Sequence, residues 1–137
     1  MATTAGLLLA LATSAQAGRT SSAATNRLPV ISVTVKAPSA TSRIVHVVNR
    51  DTVVGSYFLI RAVDRPKIVS AVGPTGPCTV SESPFLIVTD KHIEYRAHCR
   101  FTLKPGRAVD FRLSTRGAGT VAAFVCPPKP TTFPCRS

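Results

Sequence analysis

The chain has 137 residues, of which 45% are hydrophobic and 17% are charged, and its formal net charge is +11. This length suits a single domain with a modest core, and the apolar content is too high for an intrinsically disordered chain. No apolar run reaches the roughly 18 residues that a membrane-spanning helix needs, so we expect no membrane span.

The first apolar stretch, AGLLLALA at 5–12, is followed by the small-residue pattern Ala-Gln-Ala at 15–17. This order is typical of a secretory signal peptide that is cleaved before Gly18. No Lys or Arg precedes the apolar stretch, and the alternative is a buried N-terminal helix. We predict a signal peptide at 1–17, a flexible Ser/Thr/Ala-rich linker at 18–27, and a secreted, extracellular or cell-envelope location.

The chain contains four cysteines: Cys78, Cys99, Cys126 and Cys135. An even number of cysteines in an oxidising compartment indicates two disulfides, and four cysteines allow three connectivities. We favour Cys78–Cys99 with Cys126–Cys135, in which the second pair closes a short, stiff, Pro-rich loop. Separations of 21, 27 and 9 residues include no Cys-x-x-Cys pair, so we expect neither a zinc site nor another cofactor.

From residue 28 onward, apolar and polar residues alternate with a period of two, which places one face of a strand in a core and the other in water. Clusters of Gly and Pro separate the alternating segments, and no segment has a helical pattern. We predict an all-β antiparallel sandwich of about seven to eight strands over 28–125, followed by a Pro-rich, disulfide-closed tail at 126–137. The predicted strands are 31–36, 43–49, 55–63, 67–72, 85–89, 92–101, 107–113 and 121–125.

The order of several segments resembles a known family. They are LPVISVTVK at 28–36, SRIVHVVNRD at 42–51, KIVSAVGPTGPCTV at 67–80, HCRFTLKPG at 98–106, RAVDFRL at 107–113 and GTVAAFV at 119–125. Together they resemble the immunoglobulin-like bacterial surface domain that occurs in tandem in large secreted and cell-wall proteins, and LKPG at 103–106 matches its L-x-P-G turn. The resemblance implies an Ig-like sandwich in an extracellular setting, a cysteine pair at Cys78 and Cys99, and no catalytic residue. The chain departs from the family in its single copy, its basic bias and its added tail.

Residues that could carry chemistry are sparse, and the chain has no G-x-S-x-G motif. The three histidines, His46, His92 and His98, lie in or beside predicted strands. We interpret His46, which lies between Val45 and Val47, as a satisfied core residue or a half-buried one. His92, Glu94 and His98 share one strand face, but Arg96 projects between the last two and would repel a metal cation, so we interpret this face as solvated. Glu94 and Asp110 are interpreted as partners of Arg or His, and we expect the protein not to be an enzyme.

The basic bias is the feature that the fold does not explain. Arg outnumbers Lys 12 to 5, and the Arg fork pairs bidentately with phosphate and carboxylate groups. One interpretation is charge dispersed for solubility; the other is an anion-binding surface. Its partner would be an anionic cell-wall polymer or acidic glycan, with anionic lipid head groups or extracellular DNA as further candidates but no motif for specific nucleic-acid recognition. The predicted anion-binding residues are Arg96, Arg100, Arg112 and Arg116.

A hairpin about the turn at 102–106 would set the two strands that carry these arginines side by side. Arg96 would then face Arg112, and His98 would face Asp110. Two directly opposed arginines are destabilising. This register therefore predicts an anion between Arg96 and Arg112; the alternative is that both side chains splay into water at little cost.

These observations predict a secreted, non-enzymatic cell-surface or extracellular binding or structural module with a basic face for anionic polymers. The alternative is a small secreted enzyme, which would need His and carboxylate groups that converge in a cleft, or an enzyme inhibitor, which would project the Pro-rich loop at 126–135.

Overall fold

The structure, a computed structural model, describes residues 27–128 and 135–137. The predicted signal peptide at 1–17, residues 18–26 of the linker predicted at 18–27, and residues 129–134 of the Pro-rich loop lie outside the described residues. The described part contains nine strands and no helix, so it holds no helix that is long and apolar enough to cross a membrane. The strands are β1 (Ile31–Ser39), β2 (Ser42–Asn49), β3 (Gly55–Val63), β4 (Lys67–Gly73), β5 (Gly76–Pro77), β6 (Thr79–Ile87), β7 (Asp90–Leu103), β8 (Ala108–Arg116) and β9 (Ala122–Cys126).

The strands form two antiparallel sheets. The five-stranded sheet has the order β1-β2-β8-β4-β5, and the four-stranded sheet has the order β6-β7-β3-β9. The predicted antiparallel β-sandwich is therefore confirmed, with one strand more than the expected range. Phe58 of one sheet and Phe111 of the other are fully buried, with ring centroids 5.5 Å apart.

The period-two alternation explains how the sequence builds this core. Along β8, Val109, Phe111 and Leu113 are buried, while the residues between them are exposed. Along β2 the same alternation buries Val45 and Val47. Burial of each large apolar side chain contributes about 1.5–3 kcal/mol, and it fixes which face of each strand is left for solvent and ligands.

Both predicted disulfides are confirmed. Cys78 is bonded to Cys99, and Cys126 is bonded to Cys135. The first bond joins the segment after β5 to the buried face of β7. The second bond holds the C-terminal residues beside β9, where Arg136 exchanges two backbone hydrogen bonds with Val125.

The strand predicted at 85–89 is wrong at both ends. β6 begins at Thr79, and the chain turns at Val88 and Thr89, not at the predicted break of Asp90 and Lys91. β6 is an edge strand that carries Pro84 and mostly exposed side chains. An edge strand tolerates Pro and polar residues because one of its sides pairs with no neighbour, so its sequence lacks the apolar alternation of the central strands.

The predicted hairpin between the strands that carry Arg96 and Arg112 is also wrong, because β7 and β8 belong to different sheets. The turn after β7 is tied to β2: the Gly106 amide donates to the Asn49 carbonyl, and the Asn49 amide donates to the Arg107 carbonyl. These bonds direct β8 into register with β2. Asp110 therefore lies opposite His46 and not opposite His98.

Candidate anion-binding surfaces

The outer side of the five-stranded sheet carries four exposed cations. Here we call it the basic face and define it by Lys36 on β1, Lys67 on β4, and Arg112 and Arg116 on β8. The alternation that buries Phe111 and Leu113 places both arginines on the solvent side of β8. Two of the four predicted anion-binding residues therefore share this face.

Lys67 and Arg116 lie directly opposite each other on neighbouring strands. Among the described residues, no carboxylate forms an ion pair with either of them, nor with Lys36 or Arg112. Like charges directly across a sheet repel each other. The repulsion between Lys67 and Arg116 is therefore not offset within the described chain, and an external anion would relieve it.

Asp110 is the one carboxylate on this face in the described part of the chain, and it is already engaged. Its Oδ1 lies 2.6 Å from Nδ1 of His46 on β2, which lies directly opposite. An ionised carboxylate can only accept, so the imidazole N–H donates. The predictions that Asp110 has an Arg or His partner and that His46 is half-buried are both confirmed.

Arg96 lies on the outer side of the four-stranded sheet and is already paired with a carboxylate. It faces Arg61 across β7 and β3, and both guanidinium groups contact the buried carboxylate of Glu94. The hydrogen bond from Arg96, followed by that from Arg61, lowers the pKa of Glu94 against the opposing effect of burial. The interpretation of Glu94 as an arginine partner is confirmed, whereas the predicted anion between Arg96 and Arg112 is excluded by their separation on two sheets.

Arg100 lies at a groove and has no ion-pair partner among the described residues. Its guanidinium carbon lies 5.3 Å from the ring centroid of Tyr57, an arrangement that permits a cation–π interaction. The Tyr57 hydroxyl lies 2.6 Å from Nδ1 of His98. Burial, reinforced by the charge of Arg96, lowers the pKa of His98. The groove beside these side chains has a volume of about 500 Å³ and extends to the Cys78–Cys99 disulfide.

His92, the remaining member of the predicted polar face formed by His92, Glu94 and His98 on β7, also has a partner. His92 lies 2.7 Å from the carboxylate of Asp64, and its ring stacks on Phe85. The pKa of Asp64 is lowered by His92 first and then by the amide of Ile93. Within the described residues, no three His, Cys, Asp or Glu side chains come together as a metal site would require.

Sequence reasoning missed two contributors to the basic face, Lys36 and Lys67. Lys36 occupies an outward position in the alternation of β1, and Lys67 begins β4 one residue before the buried Ile68. The sequence pattern of both segments thus indicates that these two lysines face outward. Their placement on the same sheet as Arg112 and Arg116 was not readable, because it depends on strand order.

Two buried polar residues were also missed, and both are structural. Arg43 is 4% exposed and donates to the carbonyls of Gly117, Gly119, Ser39 and Ser42. The side-chain amide of Asn49, which is fully buried, donates to the carbonyls of Val53 and Leu103. Both residues donate hydrogen bonds to carbonyls of the turns and loops at the strand ends, most of which are partly buried.

Comparisons of this chain with protein-family models, with curated proteins and with solved structures find no match. The resemblance to the immunoglobulin-like bacterial surface domain therefore stays a prediction.

Proposed function

We propose that the protein is a secreted, non-enzymatic extracellular or cell-surface binding module that holds an anionic polymer, such as a cell-wall polymer or an acidic glycan, on its basic face. The observation that carries this proposal is the opposed pair of Lys67 and Arg116, to which the described chain supplies no counter-ion. The two disulfides favour an oxidising environment outside the cytoplasm.

The spacing of the cations favours a linear polymer over a compact anion. Neighbouring strands lie about 4.8 Å apart, so Lys36 and Arg112, with β2 between them, are about 10 Å apart at the backbone. Four residues along β8 separate Arg112 from Arg116 by about 13 Å. A single small anion cannot contact all of these groups, whereas a chain with repeated negative charges can lie across them.

The surroundings of the cations also suit a polymer. Val72 lies opposite Arg112 and is 47% exposed, and Val69 on the same strand is 44% exposed. Exposed aliphatic side chains beside cations provide contact for the carbon backbone or sugar rings of a polyanion. Because the cations are exposed, binding should weaken steeply as salt screens them.

The test compares two double variants that each remove two positive charges. Arg112→Ser with Arg116→Ser alters the basic face, and Lys104→Ser with Arg107→Ser alters the turn between β7 and β8, which is at the far end of β8 from Arg116. We expect the basic-face variant to elute from an immobilised sulfated polysaccharide at clearly lower salt than the turn variant. Equal elution of the two variants would show that only the net charge matters and would overturn the proposal.

A further inference from the structure

The groove beside Tyr57 lies away from the basic face and shares none of its four cations. Its walls come from β3, β7 and the segment that connects β4 to β6, and the Cys78–Cys99 disulfide joins that segment to β7. Its volume of about 500 Å³ suits a small molecule. The side chains that matter for its chemistry are Tyr57, Thr75, Thr79, His98 and Arg100.

The groove is lined by hydrogen-bond donors and one cation. Nδ1 of His98 lies 2.6 Å from the Tyr57 hydroxyl, and Nε2 of the same ring has no hydrogen-bond partner among the described residues. Thr75 and Thr79 are exposed and offer two hydroxyl groups. Arg100 adds a guanidinium that stacks on Tyr57 and leaves its N–H groups without an acidic partner in the described chain.

No carboxylate lines this groove within the described residues. The groove thus offers hydroxyl and imidazole groups and one planar cation, and it contains no acidic side chain that would repel an anion. This combination is complementary to an oxyanion. A neutral ligand would leave the guanidinium without a charged partner, and a cation would be repelled by it.

We propose that this groove is a second binding site, specific for the oxyanion group of a small molecule such as a sugar acid or a phosphate monoester. Arg100 pairs with the oxyanion, His98 donates a further hydrogen bond through Nε2, and the Thr75 and Thr79 hydroxyls contact the remainder of the ligand. Tyr57 positions both Arg100 and His98: its ring supports the guanidinium, and its hydroxyl orients the imidazole. The Cys78–Cys99 disulfide holds the threonine-bearing wall against β7.

The test is an NMR titration of the oxidised full chain with three probes: glucuronate, inorganic phosphate and, as a neutral control, glucose. We expect saturable amide shifts at Thr75–Thr79 and His98–Arg100 with at least one of the two anions, and none with glucose. Saturation by glucuronate alone would assign the carboxylate sugar as the ligand class, and saturation by phosphate would assign a phosphate group.

Two single substitutions, each of which removes one positive charge, complete the test. Arg100→Gln should weaken binding by at least tenfold, whereas Arg107→Gln, which removes an equal charge outside the groove, should leave the affinity unchanged. Amide spectra of both free variants that overlay on the wild type would confirm folding. No saturable shift with either anion, equal shifts with glucose, or unchanged affinity in Arg100→Gln would overturn the groove site. The Arg112→Ser, Arg116→Ser double variant should retain groove binding, so failure of the polymer proposal and failure of this one are distinguishable.

Discussion

The carboxylate of Asp110 and the imidazole of His46 lie 2.6 Å apart, directly opposite each other on β8 and β2, on the same face as Lys36, Lys67, Arg112 and Arg116. Asp110 is thus an internal anion on a surface that otherwise presents positive charge. At this position the Asp110 carboxylate competes with a bound polyanion for the neighbouring cations.

Asp110→Asn should strengthen retention on an immobilised polyanion, because it removes the one carboxylate of the basic face in the described chain. Both partners of the hydrogen bond between Asp110 and His46 are partly exposed, with 42% and 49% of their side chains accessible. The free energy of unfolding should therefore change by less than about 1 kcal/mol. Elution salt and urea denaturation measure the two effects; earlier elution of the variant would contradict the assignment of this face. Glu82→Gln, which neutralises an acid on the other sheet, is the matched control.

Glu94→Gln should lower stability at neutral pH by about 1–3 kcal/mol, because the buried carboxylate that Arg61 and Arg96 share would lose its charge. The pKa of Glu94 in the folded state lies below its ordinary value of 4.5. Its ionisation therefore stabilises the fold above that value, and this contribution is lost as the pH falls through the folded-state pKa.

The difference in stability between wild type and Glu94→Gln should accordingly shrink below about pH 4.5. Urea denaturation at several pH values measures this difference. Asp51 and Asp64, whose pKa values are also lowered, are present in both proteins and cancel in the comparison. A difference that stays constant with pH would mean that Glu94 contributes through packing and not through its charge.

Arg43→Met should destabilise the protein by about 2–4 kcal/mol, because it leaves partly buried carbonyls of the β1–β2 turn and of the β8–β9 loop without their donor. The substitution retains the apolar stem and isolates the loss of the guanidinium. Arg50→Met is the control: Arg50 is exposed and makes one side-chain hydrogen bond, to Ser32, so its replacement should cost less than about 0.5 kcal/mol. Similar losses in the two variants would refute a structural role for Arg43.

Val88→Asn should stabilise the protein by about 0.5–1 kcal/mol. Val88 is 91% exposed and adopts a φ of 58°, a left-handed conformation that is strained for a β-branched residue and tolerated by Asn. The thermal midpoint should rise accordingly, by about 4–8 °C per kcal/mol. Val69→Asn, at an exposed position within a strand, should not raise it, because Asn is disfavoured in strands. A lower midpoint for Val88→Asn would indicate that the valine makes contacts that outweigh its backbone strain.

The all-β class and the inward or outward phase of the central strands followed from local pattern. The disulfide pairing was favoured among three possible connectivities, and the structure confirms it. Alternation over β2, β7 and β8 determines which side chains face the core, because a strand can bury only one of its faces. The outward phase of Arg96, Arg100, Arg112 and Arg116 was readable for the same reason.

Which arginines share a surface was decided by the tertiary structure alone. The segment Lys104-Pro105-Gly106-Arg107 is compatible with a hairpin and with a crossing between sheets, and the alternation on both sides suits either path equally. The hydrogen bonds of the turn to Asn49, some 55 residues earlier in the chain, select the crossing. As a result Arg112 and Arg116 join Lys36 and Lys67 on one sheet, and Arg100 joins Tyr57 and His98 at the groove. An alternation with a period of two indicates which face of a strand is buried, but it does not indicate which strands pair with it. Pairing depends on backbone groups that every sequence shares.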